Sequence, residues 1–365
     1  MVRSTDRSDA HVASCGLVAP GECSSPSLRG VENLRRNVGP RRAPSRPAKG
    51  HTRPCFRLST TMKPLDPSWW IEAWNRFWFA PGSPRNLAAA RITFAAYSVW
   101  VLLSRNLAEM SGLPSVFWSQ VGASARWRYL DFPGHPDLER VLVWITAMAL
   151  LGAMVGVLPR FSCFLSGLLL YHLAPLESLI WIPHPYARGL TISVIALLTL
   201  SFSPCGDCWT LLPSRRDKLS AERSDYTWPV RLLQLYLVEI YFFSGYAKVV
   251  HVGWKWASAS NIRNWMLWCT EEEQIRVFHT LGTWIADRPL ACWSVGIGTL
   301  LFELGLVTAL FWKWPRRVLV PLVAVFHLGI LLAMNLVFLN VPQLLVFVDW
   351  DRVVAWFKLQ PQLEA

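Results

Sequence analysis

Residues 229–250 read PVRLLQLYLVEIYFFSGYAKVV, an apolar run interrupted by Arg231, Gln234, Glu239 and Lys248. Gln234, Val238, Tyr241, Gly245 and Lys248 step by four and three, so a helix would gather them on one face. In lipid that face turns toward protein, because hydrocarbon offers no polar partner. His251 follows Lys248 one turn on. A desolvated lysine beside a second potential cation gives up its proton more readily, which suits a base. The competing reading is a lysine that snorkels its ammonium to the interface.

Other ionisable residues fall inside apolar runs. Arg91, His172, Glu177, Glu303 and His327 join Glu239 and Lys248 in this group. Placing Arg, Lys or Asp at membrane depth costs about 2.5–3.5 kcal/mol on insertion scales, so each such residue needs a reason. Glu303 and His327 lie in consecutive runs, and their expected partners are each other or Arg91. A hydrogen-bonded pair that fixes helix packing is one account of them. A proton path is the other. His184 sits in Trp181-Ile-Pro-His-Pro-Tyr-Ala-Arg-Gly189, a Pro-rich hairpin between two runs. It is expected on the same side as Lys248 and His251, or else serves as a hydrogen-bonded turn histidine.

Several chemistries are excluded or unsupported. There is no Walker loop, HExxH, GxSxG or GxGxxG motif, and no carboxylate-rich loop for magnesium. The eight cysteines are scattered, with three in the first 61 residues, and they form no disulfide framework. Cys205 and Cys208 make a lone CxxC without a second ligand pair, so a helix-terminating turn is expected rather than a metal or redox site. No metal is expected. Broken half-helices repeated across two halves, the mark of a known transporter plan, are also absent.

The elements that must position these residues are membrane spans. The chain is 53% hydrophobic and only 16% charged, with 21 Trp and a mean hydropathy of +0.29. A soluble domain carries about 25% charged residues. The fold expected is all-α, a polytopic transmembrane helical bundle of about eight spans. Runs at 87–104, 141–158, 161–180, 189–203, 229–250, 290–312, 317–334 and a short 336–349 supply them. Residues 69–80, WWIEAWNRFWFA, predict an N-terminal helix lying in the interface. Residues 1–61 hold 11 Lys+Arg against 4 Asp+Glu and show no hydrophobic period. That composition predicts a disordered basic arm, either a cytoplasmic tail or sequence upstream of a true start at Met62. The arm has no aromatic interleaving, and nucleic acid is not an expected partner. The membrane domain is expected over 62–365. With the N-terminus inside, the inner segments carry 14 Lys+Arg and the outer ones 9. That bias predicts N-in and C-in.

These residues resemble a known family. Pro84-Arg-Asn-Leu-Ala-Ala-Ala-Arg91-Ile, Leu200-Ser-Phe-Ser-Pro-Cys-Gly206, Tyr241-Phe-Phe-Ser-Gly-Tyr-Ala-Lys248 with Trp254, and Phe302-Glu-Leu-Gly305 followed by Phe326-His-Leu-Gly329 occur in order. They are similar to the HTTM group of bacterial membrane proteins, related to the membrane part of vitamin K-dependent γ-glutamyl carboxylase. The resemblance runs from about Trp69 to the end and implies a bacterial cytoplasmic membrane. It implies that Lys248 deprotonates a reduced, vitamin K-like quinone at the outer face. Oxygen would then convert the quinone to an epoxide and a strong base. Trp181-Ile-Pro-His184-Pro-Tyr186 matches the spacing of a functional His segment, although Ile and Pro replace two Asn. His184 would stabilise the base or an anion, with His251, Tyr241, Glu303, His327 and Trp181 in support. Two departures bear on the substrate. The carboxylase has adjacent lysines where this chain has Ala247-Lys248-Val249, and a large extramembrane region after its helices, whereas this chain stops at Ala365. Peptide carboxylation is therefore not expected.

Three functions remain open from the sequence. The first is a membrane-embedded carboxylase/epoxidase-like enzyme acting on a quinone or other lipid-soluble substrate. The second is a non-catalytic membrane subunit or scaffold. The third is a small-solute transporter, which needs a polar path joining both faces.

Overall fold

The computed structural model describes residues 67–105, 107–113, 135–180, 189–211, 222–272, 280–336, 338 and 340–359. The basic arm lies outside the described residues. So does the hairpin that carries Trp181 and His184.

Helix α1 (Pro67–Phe79) comes first and leaves Trp70, Ile71 and Trp74 exposed. Helix α2 (Pro84–Ser104) starts where Ser83 accepts a hydrogen bond from the Arg85 N–H and Pro84 occupies the first turn. Proline fits there because its missing N–H would be unpaired anyway. Helices α3 (Pro136–Val155) and α4 (Pro159–Ile180) follow. Gly156 ends α3 at φ 80°, a left-handed conformation in which its N–H bonds the Gly152 carbonyl. Glycine adopts it without the steric cost a side chain adds. Helix α5 (Gly189–Ser201) is short and apolar. Helix α6 (Thr227–Val252) runs 26 residues. Next come α7 (Ala259–Glu272), α8 (Thr280–Ala286) and α9 (Pro289–Gly305). A turn at Thr308–Phe311 leads into α10 (Lys313–Met334), and α11 (Trp350–Leu359) follows. Among the described residues there is no strand, only an isolated bridge between Gly82 and Arg223.

Four helical stretches are both long and apolar enough to cross a membrane: 84–104, 136–155, 289–311 and 313–334. Helices α4 and α6 have the length as well, at 22 and 26 residues. Helix α6 carries three charged side chains, Arg231, Glu239 and Lys248, which lower its apolarity. The outside of the bundle is apolar, with Trp144, Met148, Phe161, Leu301 and Val325 all exposed. An apolar exterior suits a hydrocarbon solvent rather than water.

Cross-links show which ends share a face. Gly82 and Arg223 exchange backbone hydrogen bonds of 3.0 and 3.1 Å, joining the starts of α2 and α6. Arg85 pairs with Asp351 at 2.7 Å, and Asn86 accepts from the Trp350 N–H at 2.9 Å. Arg160 donates to the Ser203 carbonyl at 2.8 Å, and the Tyr226 hydroxyl to Asp207 at 2.9 Å. This amino-terminal face thus gathers the starts of α2, α4, α6 and α11 with the turn after α5.

The stretch 336–349 departs from expectation. Its apolar length suggested a short helical span, but the backbone forms a 3-10 segment at Val341–Phe347. Pro342 stands at the start of that segment and supplies no N–H to an earlier turn. The chain still returns from the end of α10 to the amino-terminal face. Gln234 donates to the Val346 carbonyl at 3.0 Å, and fully buried Gln343 donates to Ser193 of α5 at 3.4 Å. Non-helical backbone at membrane depth is tolerated where protein surrounds it.

Candidate functional site at the crossing of helices α6 and α9

The face predicted for α6 is the buried one: Gln234, Val238, Tyr241 and Gly245 are all buried. Gly245 marks the crossing. A Cβ on it would lie 3.0 Å from Glu303 Cβ and 3.2 Å from Leu304 Cγ. The missing side chain therefore lets α9 approach closely enough for Glu303 to reach across. Helix packing in membranes favours small residues for this reason.

Lys248 lies one turn beyond Gly245. Its Nζ is 2.5 and 2.6 Å from the two carboxylate oxygens of Glu303. It also donates to Ser244 Oγ at 2.9 Å, and Ser244 donates to Glu303 at 3.3 Å. The Trp256 ring lies 4.9 Å from the ammonium, a cation–π distance. Trp256 is placed there by the 3-10 turn Gly253–Ala257, whose Ala257 packs on Gly296 of α9. The carboxylate is nearly enclosed, with 7% of its side chain exposed, while the lysine side chain keeps 21%. One edge of the pair is therefore accessible.

Glu303 and His327 do not pair with each other, nor does Arg91 join them. The His327 ring faces Tyr241, with the phenol oxygen 2.6 Å from Nε2, and stacks near Phe338 at 4.5 Å. His327 Nδ1 is buried with no partner among the described residues. Arg91, fully buried, donates to the carbonyls of Cys205 and Trp209, both at 2.5 Å. It caps the turn that ends α5. The CxxC segment is thus that turn, and Cys205 and Cys208 are free thiols. The Cys163 thiol donates to Cys205, which lowers the Cys205 pKa from the usual thiol value despite burial.

His251 is exposed at the end of α6, and no contact joins it to Lys248 among the described residues. The ionisable group in contact with Lys248 is the Glu303 carboxylate, not a second cation. Glu239 has no partner among the described residues, and the Glu177 side chain lies outside them. His184 and Trp181 also lie outside them.

One buried polar contact had no counterpart in the sequence. Glu139, fully buried in the first turn of α3, lies 2.9 Å from His172 Nε2. Residue 139 falls in a mixed connection by composition, so its burial has no local signal. His172 was the only pointer, as a polar residue in an apolar run.

These features define an α-helical integral membrane protein with paired ionisable groups in its interior. The family model described as HTTM domain matches residues 79–341, and the chain belongs to that family. No curated protein and no solved structure matches it.

Proposed function

We propose that this protein is a membrane-embedded enzyme, similar to vitamin K-dependent carboxylase/epoxidase, that deprotonates a reduced quinone or similar lipid-soluble acid at Lys248 and Glu303. The Lys248–Glu303 pair carries this reading. It is a bound cation and anion at the crossing of two membrane helices, with the cation partly accessible. A hydroquinone entering beside it gives its O–H proton to the Glu303 carboxylate, and the phenolate formed takes the place of that carboxylate beside the Lys248 ammonium. One O–H bond breaks, one forms, and the charge of the site is unchanged. Electrostatic stabilisation of the developing anion by a fixed cation is the larger share of such catalysis. The phenolate is the species that oxygen attacks when epoxide forms.

His184 enters this reading as a second stabilising group on the strength of its sequence spacing alone. The lysine and arginine bias supports an orientation with the end of α6, and so Lys248, toward the outside of a bacterial cytoplasmic membrane. The test is purified protein in lipid nanodiscs given reduced quinone and oxygen. Epoxide should form, and Lys248→Ala should abolish it. Absence of epoxide, or full activity in the variant, defeats the proposal.

A non-catalytic packing role is favoured by one specific observation. An ammonium has three N–H donors, and Lys248 has three acceptors in reach: both oxygens of Glu303 and Ser244. A lock between α6 and α9 needs no more. Under that reading, a Lys248→Met, Glu303→Met double variant keeps both expression and any cellular phenotype.

A further inference from the structure

The turn Thr308–Phe311 ends near the amino-terminal face with its last carbonyls uncovered by helix. Two arginines from different helices converge on them. Arg316 donates to the Ala309 and Leu310 carbonyls, both at 2.9 Å. Arg231 of α6 donates to the Leu310 carbonyl at 3.4 Å and to Gln234 at 3.2 Å. Among the described residues no carboxylate pairs with either guanidinium. Among the described residues, the charged group acting on Arg231 is Arg316, which repels it.

Capping does not balance this charge. A helix carboxyl end carries about half an elementary negative charge, against two full positive ones. Donors are also left over. Among the described residues, Arg231 donates only through Nη1, and Arg316 only through Nε and Nη2, so Arg231 Nε and Nη2 and Arg316 Nη1 are left to donate. The surroundings belong to a membrane boundary. The Phe77 ring of α1 lies 5.1 Å from the Arg231 guanidinium and 5.6 Å from the Phe311 ring. Trp312 and Trp314 beside them are exposed, as aromatic belts are at the headgroup level.

We propose that Arg231 and Arg316, converging on the Leu310 carbonyl, hold the phosphodiester headgroup of an anionic phospholipid at the amino-terminal face. A phosphodiester supplies one negative charge and paired oxygens that suit the planar fork of arginine. Its acyl chains lie along the apolar flank formed by Phe77, Phe311 and Trp312. Basic pockets between membrane helices take acidic headgroups in this way.

The test uses the full chain in neutral detergent, with phosphatidylglycerol or phosphatidylcholine added and retained lipid counted by native mass spectrometry. The protein should retain one phosphatidylglycerol with roughly tenfold preference or more over phosphatidylcholine. Arg231→Gln with Arg316→Gln should remove the preference. Lys313→Gln with Arg317→Gln alters exposed charges that touch neither carbonyl and should leave it intact. The proposal is overturned by equal retention of the two lipids, or by loss in the control variant matching loss in the test variant. It is also overturned if inorganic phosphate displaces phosphatidylglycerol at equal concentration, since the site would then take a soluble anion. If the test variant does not fold, the wild-type preference and the control variant still decide.

Discussion

At Lys248 two of the three acceptors belong to one carboxylate, so the charges of Lys248 and Glu303 cannot be altered separately. Removing one partner strands the other inside the bundle. Glu303→Ala should therefore destabilise the protein by about 3–5 kcal/mol, as breaking a buried pair does elsewhere. Replacing both by methionine should recover most of that loss, because apolar replacements of buried pairs are often neutral. Thermal unfolding in detergent of the two single variants and the double variant checks this. A double variant no more stable than Glu303→Ala would contradict it. Both residues stood out in the sequence as charges in apolar runs, but their partnership did not. They are 55 residues apart, and the pairing depends on where two helices cross. His327 was open to the same error. It lies in the helix after Glu303, yet its side of α10 meets Tyr241.

Between elements, the close approach of α6 to α9 depends on Gly245. Gly245→Ala brings a methyl to 3.0 Å from Glu303 Cβ, against a side chain held by its ion pair. Separating the helices should cost about 1–3 kcal/mol, as overpacking does. It should also lengthen the Lys248–Glu303 contact, so under the proposed function activity falls more than stability does. Measuring melting temperature and epoxide formation on one preparation tests both parts. A variant with wild-type values for both would show that the crossing tolerates a methyl. The 3-10 segment Val341–Phe347 has a comparable dependence on Gln234. Gln234→Leu leaves the Val346 carbonyl without that donor and should cost about 1–3 kcal/mol in unfolding measurements. The buried face of α6 was legible because its period is local. The non-helical segment was not, because apolar length alone does not separate a helix from a strand of chain wrapped by protein, and Pro342 was the one residue that argued against a helix.

Across the whole molecule, the apolar runs of the sequence predict about eight crossings, with 336–349 as the last. Among the described residues, four stretches meet both length and apolarity. The other runs are short, charged or non-helical, and a crossing by any of them rests on protein contacts that hydropathy does not register. The consequence is testable without any knowledge of the reaction. Residue 351 is tied to residue 85, so α1 and α11 must emerge on one side of the membrane. Glu72→Cys and Arg352→Cys, each in a cysteine-free background, place single thiols on exposed positions of α1 and α11. Lys255→Cys places one at the far face, beyond the end of α6. In sealed cells, a membrane-impermeant thiol reagent should treat residues 72 and 352 alike and residue 255 oppositely. The positive-inside bias adds the direction: labelling at 255 and protection at the other two. Unlike behaviour of 72 and 352 would mean that 336–349 does not traverse the bilayer. The reverse pattern would keep eight crossings but put Lys248 near the opposite membrane surface.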